Sequence, residues 1–176
     1  MTEPSIVGTS RLSPPAVRGG VVKGLLITLV VITVAALVGW VGVCPCERTP
    51  GSYLVGPEVQ APVTDWSFVN SDVGLCQIEV RRGLLPHSIN LNCMASDGDL
   101  FLSCARCEGK AWSTAALANP NARIRMNGVV YPVTVQKVED PQTLDRAWVA
   151  RESKMGRPTD VPRQDGWWSF AVQSRS

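Results

Sequence analysis

Alternation of apolar and polar residues along the second half of the chain predicts a series of short antiparallel strands. A period of two, typical of strands with one buried face, runs through Leu75–Val80, Ser88–Ala95 and Ala122–Met126. Asp97-Gly98-Asp99 and Asn127-Gly128 mark the turns. Asn-Gly is a strong hairpin signal, because both central residues of a type I′ turn need a positive φ. The pattern therefore predicts two hairpins.

The remaining apolar positions predict two more strands and two helices. Val129–Val138 is rich in β-branched residues, and Trp167–Val172 closes the chain as a strand. Glu108–Ala118 is alanine-rich and ends before Asn119-Pro120, as a helix should. A second helix is predicted over residues 142–151, with Asp140 as its N-cap and Pro141 near its first turn. Its inner face is predicted to carry Leu144, Ala147 and Trp148. These elements predict a mainly β domain with two helices, either a small barrel or a sandwich.

Residues 21–43 are predicted to form a transmembrane helix. From Gly24 to Val43 no residue is charged, and this length is about the 20 residues that a helix needs to cross the hydrocarbon core. A cleaved signal peptide is the alternative, but the run exceeds the roughly 7–15 apolar residues of a signal. The predicted division is a disordered cytoplasmic tail over 1–20, the anchor over 21–43, a Pro- and Gly-rich linker over 44–64 and a folded domain over 65–176.

Charges on either side of the apolar run predict its orientation. Arg11, Arg18 and Lys23 precede the run, whereas Glu47 and Arg48 after it cancel each other. The positive-inside tendency keeps the N-terminus in the cytoplasm. We therefore expect a single-pass protein of the cytoplasmic (inner) membrane, with its C-terminal domain on the extracytoplasmic side.

Overall charge and the scarcity of histidine exclude several classes of function. The formal net charge is +2 and 18% of the residues are charged, without a basic stripe, so no nucleic-acid partner is expected. His87 is the only histidine, which excludes metal centres built on several histidines. A Ser-His hydrolase is not expected, because the sequence has no Gly-x-Ser-x-Gly motif.

Four cysteines of the folded domain, Cys76, Cys93, Cys104 and Cys107, leave three kinds of chemistry open. Cys104 and Cys107 form a C-x-x-C at a predicted strand-to-helix junction, a spacing shared by redox dithiols and half zinc sites. Tetrahedral zinc needs two further ligands, which only Cys76 and Cys93 offer among the nearby thiols. In an oxidising compartment, structural disulfides are the commoner use of such thiols. We expect disulfide or redox cysteines and no metal site, with the pairing left open.

Several stretches of the domain, taken in series, carry a resemblance to a known family. They are Pro86–Asn92, Asp97–Ser103, Lys110 with the helix to Asn119, Pro120–Arg125, Gly128–Val133, Val138–Pro141 and Trp168–Phe170. Residues 65–175 resemble the split β-barrel flavin-binding superfamily, which includes pyridoxamine-5′-phosphate-oxidase-like proteins and deazaflavin-dependent nitroreductases. The resemblance implies an antiparallel, Greek-key-like split β-barrel, here in a membrane-anchored variant preceded by one transmembrane helix.

The resemblance also implies a cofactor, FMN or a deazaflavin. In the family, a helix opens beneath the cofactor phosphate, which here implicates Ser103, Arg106, Lys110, Ser113 and Thr114. The ring would rest near His87, Ser88 and Asn90, with hydride transfer to an acceptor. A helix N-terminus suits an anion through its free N–H groups and partial positive charge. The alternative is that the hydroxyls are ordinary helix caps and that His87 caps a turn.

This sequence departs from the family pattern at the same junction. The usual Ser/Thr-Arg-Lys cluster is replaced by Ser103–Lys110, in which two cysteines and an acid are inserted. The family works mostly as cytosolic homodimers, whereas this domain is expected outside the cytoplasm. Two hypotheses therefore stay open. One is a cofactor-binding oxidoreductase that forms a homodimer through the barrel, and the other is a non-enzymatic accessory module that binds no cofactor and contacts an envelope protein.

Overall fold

A computed structural model describes residues 19–42 and 50–175 of the chain. The first range is helix α1, Gly19–Gly42, in which Val22–Gly39 has a mean hydropathy of 2.4 and no buried part. The predicted apolar helix is confirmed, and it is long and apolar enough to cross a membrane. A signal sequence meets the same criteria, so the anchor and its orientation stay predictions. The predicted tail up to residue 18 and the flanking charges at Arg11, Arg18, Glu47 and Arg48 lie outside the described residues.

Six antiparallel strands close into a barrel in the second range. They are β1 (Cys76–Arg82), β2 (Leu85–Ser96), β3 (Asp99–Ala105), β4 (Asn121–Met126), β5 (Val129–Lys137) and β6 (Trp167–Ser174). Three helices accompany them, α2 (Val69–Asp72), α3 (Ala111–Ala118) and α4 (Pro141–Lys154). The spatial order is β1-β2-β3-β6-β5-β4, and β4 pairs with β1 to complete the ring. Closure removes the open edges of the sheet and confirms the predicted mainly β barrel.

Two-residue turns set the register of the hairpins. Asp97 and Gly98 have φ angles of 52° and 83°, and Asn127 and Gly128 have 49° and 82°. Positive φ at both central residues is the type I′ condition, so both predicted hairpins are confirmed. A third hairpin was not predicted. There β1 runs to Arg82, which pairs with Leu85.

The interior of the barrel is filled by alternate residues from each strand. Ile78, Ile124 and Phe170 are fully buried in one continuous cluster. Helix α3 adds Trp112 to this cluster, with its ring centroid 5.1 Å from that of Phe170. The helix begins at Ala111 rather than at the predicted Glu108, so residues 106–110 form a loop.

Helix α4 covers an apolar patch on the outer surface of the barrel. Ala147 and Trp148 pack with Met94, Phe101 and Trp167 from β2, β3 and β6. The Trp148 and Trp167 rings meet edge to face at 5.3 Å. The carboxylate of Asp140 accepts a hydrogen bond from the Thr143 amide at 2.8 Å, which confirms the predicted N-cap. The predicted inner face is confirmed as well, although the helix runs on to Lys154.

A second part of the outer surface is covered by Gly51–Val59, which we call the N-terminal strap. Gly51 bridges Ser88 on β2, Glu58 bridges Val130 on β5, and Leu54 between them is fully buried. This stretch lies within the range predicted as a linker, yet it packs on the barrel. Its Pro- and Gly-rich composition has a packing reason, because a Cβ at Gly56 would collide with the carbonyl oxygen of Gly128.

Candidate functional site

The predicted cofactor junction is a short loop between β3 and α3. Cys104 near the end of β3 is disulfide-bonded to Cys107, with their Cα atoms 5.6 Å apart. Arg106 between them has a φ of 58°, in the left-handed region that side chains rarely adopt. Lys110 is the N-cap residue of α3 and has an extended backbone. The junction is therefore a tight loop, residues 106–110, closed at its start by a disulfide.

Two of the five residues predicted to bind a phosphate turn into the protein. The buried Ser113 hydroxyl lies within hydrogen-bond distance of the carbonyl oxygens of Cys107 and, at 3.0 Å, of Lys110. Ser113 thus donates to carbonyl oxygens of the loop, whereas an ordinary helix cap would accept a hydrogen bond from a backbone N–H group. Ser103 lies on the opposite face of β3 from the core residue Cys104 and is only 1% exposed. Its hydroxyl has no hydrogen-bond partner among the described residues.

The other three residues, Arg106, Lys110 and Thr114, are exposed. The Lys110 ammonium donates to the Ala105 carbonyl at 3.3 Å, and no carboxylate of the described residues forms an ion pair with Arg106 or Lys110. The N-cap residue Lys110 makes no side-chain capping hydrogen bond, and within ranges 19–42 and 50–175 the first N–H groups of α3 lack a side-chain acceptor. Exposed Glu108 offsets part of the charge. The surface at this point remains positive.

The three residues predicted to hold a ring lie on β2, but on two faces of the strand. His87 is paired with the core residue Val80 and shares its face, whereas Ser88 and Asn90 face outward. Ser88 is fully buried where Gly51 bridges it, and its hydroxyl has no partner among the described residues. Half-buried Asn90 is therefore the outward-facing polar residue of the three that a ligand reaches most directly.

Electrostatics distinguish His87 from its neighbours. Partial burial lowers the pKa of His87 below its ordinary value, because the imidazolium loses solvation, and the charge of Arg82 lowers it further. His87 is therefore biased toward its neutral form. A neutral imidazole can accept a proton or a hydrogen bond at physiological pH.

The other two domain cysteines form a second disulfide inside the barrel. Cys76 on β1 and Cys93 on β2 have Cα atoms 5.8 Å apart, and both are buried. Lys154 approaches this pair from α4 and donates to the carbonyl oxygens of Cys93 and Val69 at 2.6 and 2.8 Å. Of the alternatives for the cysteines, the structure supports disulfides. The described residues contain no group of three His, Cys, Asp or Glu side chains that would hold a metal ion.

A cleft of about 420 Å³, the arginine cleft, opens beside the β1–β2 turn and was missed by sequence reasoning. It lies between side chains from the strap, the first hairpin, β4 and the C-terminus, among them Tyr53, Glu79, Arg81, Leu84, Arg123 and Arg175. Arg123 forms ion pairs there with Glu58 at 3.2 Å and Glu79 at 3.0 Å, and its guanidinium lies over the Tyr53 ring, 4.3 Å from the centroid. In the sequence, Arg81 belongs to the polar break Arg81-Arg82-Gly83, which gave no sign of a cleft.

Comparison with known proteins gives no match to any family model or to any curated protein. Solved structures do match. A conserved hypothetical protein of Mycobacterium tuberculosis is similar with a TM-score of 0.52 and 18% identity, over 62% of this chain and 77% of that one. A proposed 5-nitroimidazole antibiotic resistance protein of Bacteroides thetaiotaomicron has a TM-score of 0.51 and 12% identity, over 76% and 92%. A proposed pyridoxamine 5′-phosphate oxidase of Listeria innocua has 0.50 and 11%, over 62% and 90%.

The chain has the split-barrel fold. These likenesses confirm the fold that the resemblance implied. At such low identities they establish the fold alone, because one fold hosts many functions and function depends on the residues of the site.

Proposed function

We propose that this protein is a membrane-tethered split-barrel oxidoreductase that binds the phosphate of a flavin-type cofactor, FMN or a deazaflavin, at the start of α3. One observation carries the proposal. Arg106 and Lys110 are exposed, form no ion pair with a described carboxylate, and flank a helix start that no side chain caps. Cationic side chains and free helix amides are the groups that bind phosphates in proteins.

The residues at the junction fit this group in part. Arg106 and Lys110 would hold the phosphate, exposed Thr114 would add a hydroxyl, and Asn90 would contact the ring. Ser113 keeps the loop in shape through the carbonyls of Cys107 and Lys110 rather than by binding the ligand. Such a cofactor supplies hydride transfer, while the protein supplies position and electrostatics. The name of the similar protein from Listeria innocua, a proposed pyridoxamine 5′-phosphate oxidase, supports oxidoreductase chemistry.

The proposed tether is α1, with the barrel outside the cytoplasm. Two disulfides in one small domain support this location, because disulfides persist in oxidising compartments. The uncharged run of α1 supports a permanent anchor. We also propose a homodimer formed through the barrel, since the family to which the sequence is similar mostly works in that state.

The binding proposal is tested with the full chain in detergent, titrated with FMN and with a deazaflavin while tryptophan and flavin fluorescence are followed. We expect saturable binding of one of the two at micromolar concentration. Arg106→Gln and Lys110→Gln should each weaken it about tenfold, the usual value of a charge-assisted hydrogen bond. The matched control is Arg157→Gln, an exposed arginine in the loop after α4.

Absence of saturable binding, or equal losses in all three variants, would contradict the proposal. Sedimentation of the same samples tests the homodimer. A sedimentation coefficient of a single chain at all concentrations would exclude it.

A second candidate function, a non-enzymatic accessory module that contacts an envelope protein, is favoured by the inward side chains. Ser103 and Ser88 are buried within the chain, and the buried Ser113 hydroxyl donates to carbonyl oxygens of the loop, so three of the eight residues predicted to bind the cofactor are unavailable as they stand. This function would be selected if neither cofactor binds and an envelope protein co-purifies with the chain. Substitutions on the barrel surface should then abolish the co-purification.

A further inference from the structure

The β1–β2 turn is an exposed apolar tip between arginines. Leu84 at the turn is 98% exposed and the adjacent Leu85 is 65% exposed. Arg81 and Arg82 precede them and are exposed too, and neither forms an ion pair with a described carboxylate. A single exposed leucine is normal on a protein surface. Two consecutive leucines at the tip of a hairpin, next to two unpaired guanidinium groups, form a small amphipathic projection that we call the leucine turn (residues 81–86).

The leucine turn lies close to the point where the chain enters the barrel. Gly51, the first residue of the strap, bridges Ser88, which is three residues along β2 from Leu85. At a rise of about 3.3 Å per residue this separation is about 10 Å. Helix α1 ends at Gly42, nine residues before Gly51, and nine extended residues span at most about 32 Å. A bilayer that holds α1 is therefore within reach of the leucine turn by chain length alone.

The surface around the leucine turn continues into the arginine cleft. Arg81 and Leu84 both line the cleft, and so does half-buried Arg175, whose Nε donates to the Val133 carbonyl at 3.1 Å and leaves the other guanidinium N–H groups for a ligand. Tyr53, 43% exposed, lies at the same place. Arginine matches the geometry of phosphate oxygens through its planar fork, and tyrosine favours the interface between water and lipid. These residue types are the ones expected at a contact with lipid headgroups.

We propose that the leucine turn docks on the surface of a bilayer that contains anionic lipids. Leu84 and Leu85 enter the interfacial layer, while Arg81, Arg82 and Arg175 bind lipid phosphates. The inference rests on the proposed function in one respect, that α1 is a membrane anchor. A tether holds the leucine turn at a high effective concentration near the lipid. Two leucines and three arginines are then enough for docking, although they would not recruit an untethered domain to the membrane. Docking fixes which side of the barrel faces the membrane.

The test places a tryptophan at the tip of the full chain. Leu84→Trp and the control Val149→Trp, an exposed position on α4, are reconstituted in nanodiscs with and without lipids brominated on their acyl chains. Quenching is measured as the difference from the parent chain, whose own tryptophans are common to all samples. We expect quenching at position 84 and none at position 149 in discs that contain phosphatidylglycerol. Arg81→Gln and Arg82→Gln in the Leu84→Trp background should each weaken docking about fivefold, the usual contribution of one basic residue at an anionic surface.

Each outcome bears on the proposal. Quenching at position 84 that falls with the arginine substitutions and in purely zwitterionic discs supports it. The proposal is overturned if the two tryptophans are quenched equally. It is also overturned if quenching at position 84 changes neither with lipid charge nor with either arginine substitution. A chain that does not enter nanodiscs at all overturns the anchor and the docking together. Titration of FMN and a deazaflavin in the same discs reports separately on cofactor binding, so failure there leaves the docking result intact.

Discussion

The outer surface of the barrel is covered in two different ways. On one side, α4 buries an apolar cluster around Trp148 and Trp167. On the other side, the strap covers a charged cluster in which Arg123 binds Glu58 and Glu79. The first cover follows from a helical period of apolar residues that are close in sequence. The second depends on partners 65 and 44 positions apart, which no local pattern reveals.

The two covers also differ in what stabilises them. The α4 side gains free energy from apolar surface removed from water. The strap side gains little from its ion pairs, since desolvation of the charges offsets their attraction, but removing one partner leaves a poorly solvated charge behind. We therefore expect the α4 side to be more sensitive to the loss of apolar volume and the strap side to the loss of one charge.

The largest effect is expected from Trp148→Ala. Trp148 is 4% exposed and contacts the Trp167 ring, so its removal leaves a large cavity between α4 and the barrel. The free energy of unfolding should fall by about 3–5 kcal/mol, measured by urea denaturation. Exposed Val149→Ala on the same helix is the control and should stay within about 0.5 kcal/mol of the parent. Similar losses for the two variants would show that α4 is not held by its inner face.

The sequence predicted the α4 side well for reasons that particular residues make clear. Asp140 and Pro141 are local start signals, and Leu144, Ala147 and Trp148 lie on one face of any helix that begins there. Likewise, Asn127-Gly128 fixes its hairpin through backbone conformation alone. Each of these features depends on a few neighbouring residues, so it can be predicted from one sequence alone.

The strap and the cofactor junction were less predictable, because the strap depends on distant contacts and the junction depends on the residue at which α3 begins. Gly56 resembles a linker glycine until the close approach of Gly128 is known. Helix α3 begins at Ala111 instead of Glu108, so Lys110 precedes the helix, and the hydroxyl of buried Ser113 donates to the loop carbonyl of Lys110. The faces of His87 and Ser88 follow from strand alternation, but the resemblance placed both at one ring.

A smaller effect than that of Trp148 is expected on the strap side from Glu79→Ala. The buried carboxylate of Glu79 binds Arg123 and accepts a hydrogen bond from the Leu54 amide at 2.6 Å. Its loss leaves a guanidinium and an amide under-satisfied and should cost about 2–4 kcal/mol in urea denaturation. Glu58, the more exposed partner of Arg123, is the control, and Glu58→Ala should cost no more than about 1 kcal/mol. Equal costs would mean that the strap is held by apolar contacts such as Leu54 and not by the charges.

The smallest effect is a pH dependence at His87, one residue from the strap's bridge at Ser88. The folded pKa of His87 is lower than the ordinary value of about 6.5, chiefly through burial and then through Arg82. Between the folded and the unfolded pKa, the unfolded chain binds more protons, so stability rises with pH through that window. Above about 6.5 both states are neutral and the histidine contributes no slope.

His87→Gln should remove this slope, and because His87 is the only histidine, the difference between variant and parent isolates one group. The measurement is urea denaturation at intervals from pH 5 to 7.5, an approximate range around the histidine pKa. The parent should lose stability relative to His87→Gln as the pH falls below about 6.5, while Trp148→Ala keeps the parental slope. A parent that gains stability relative to His87→Gln on acidification would instead mean that a negative group faces His87. The end of the barrel at the strap would then be negatively charged, whereas Arg82 gives it a positive charge.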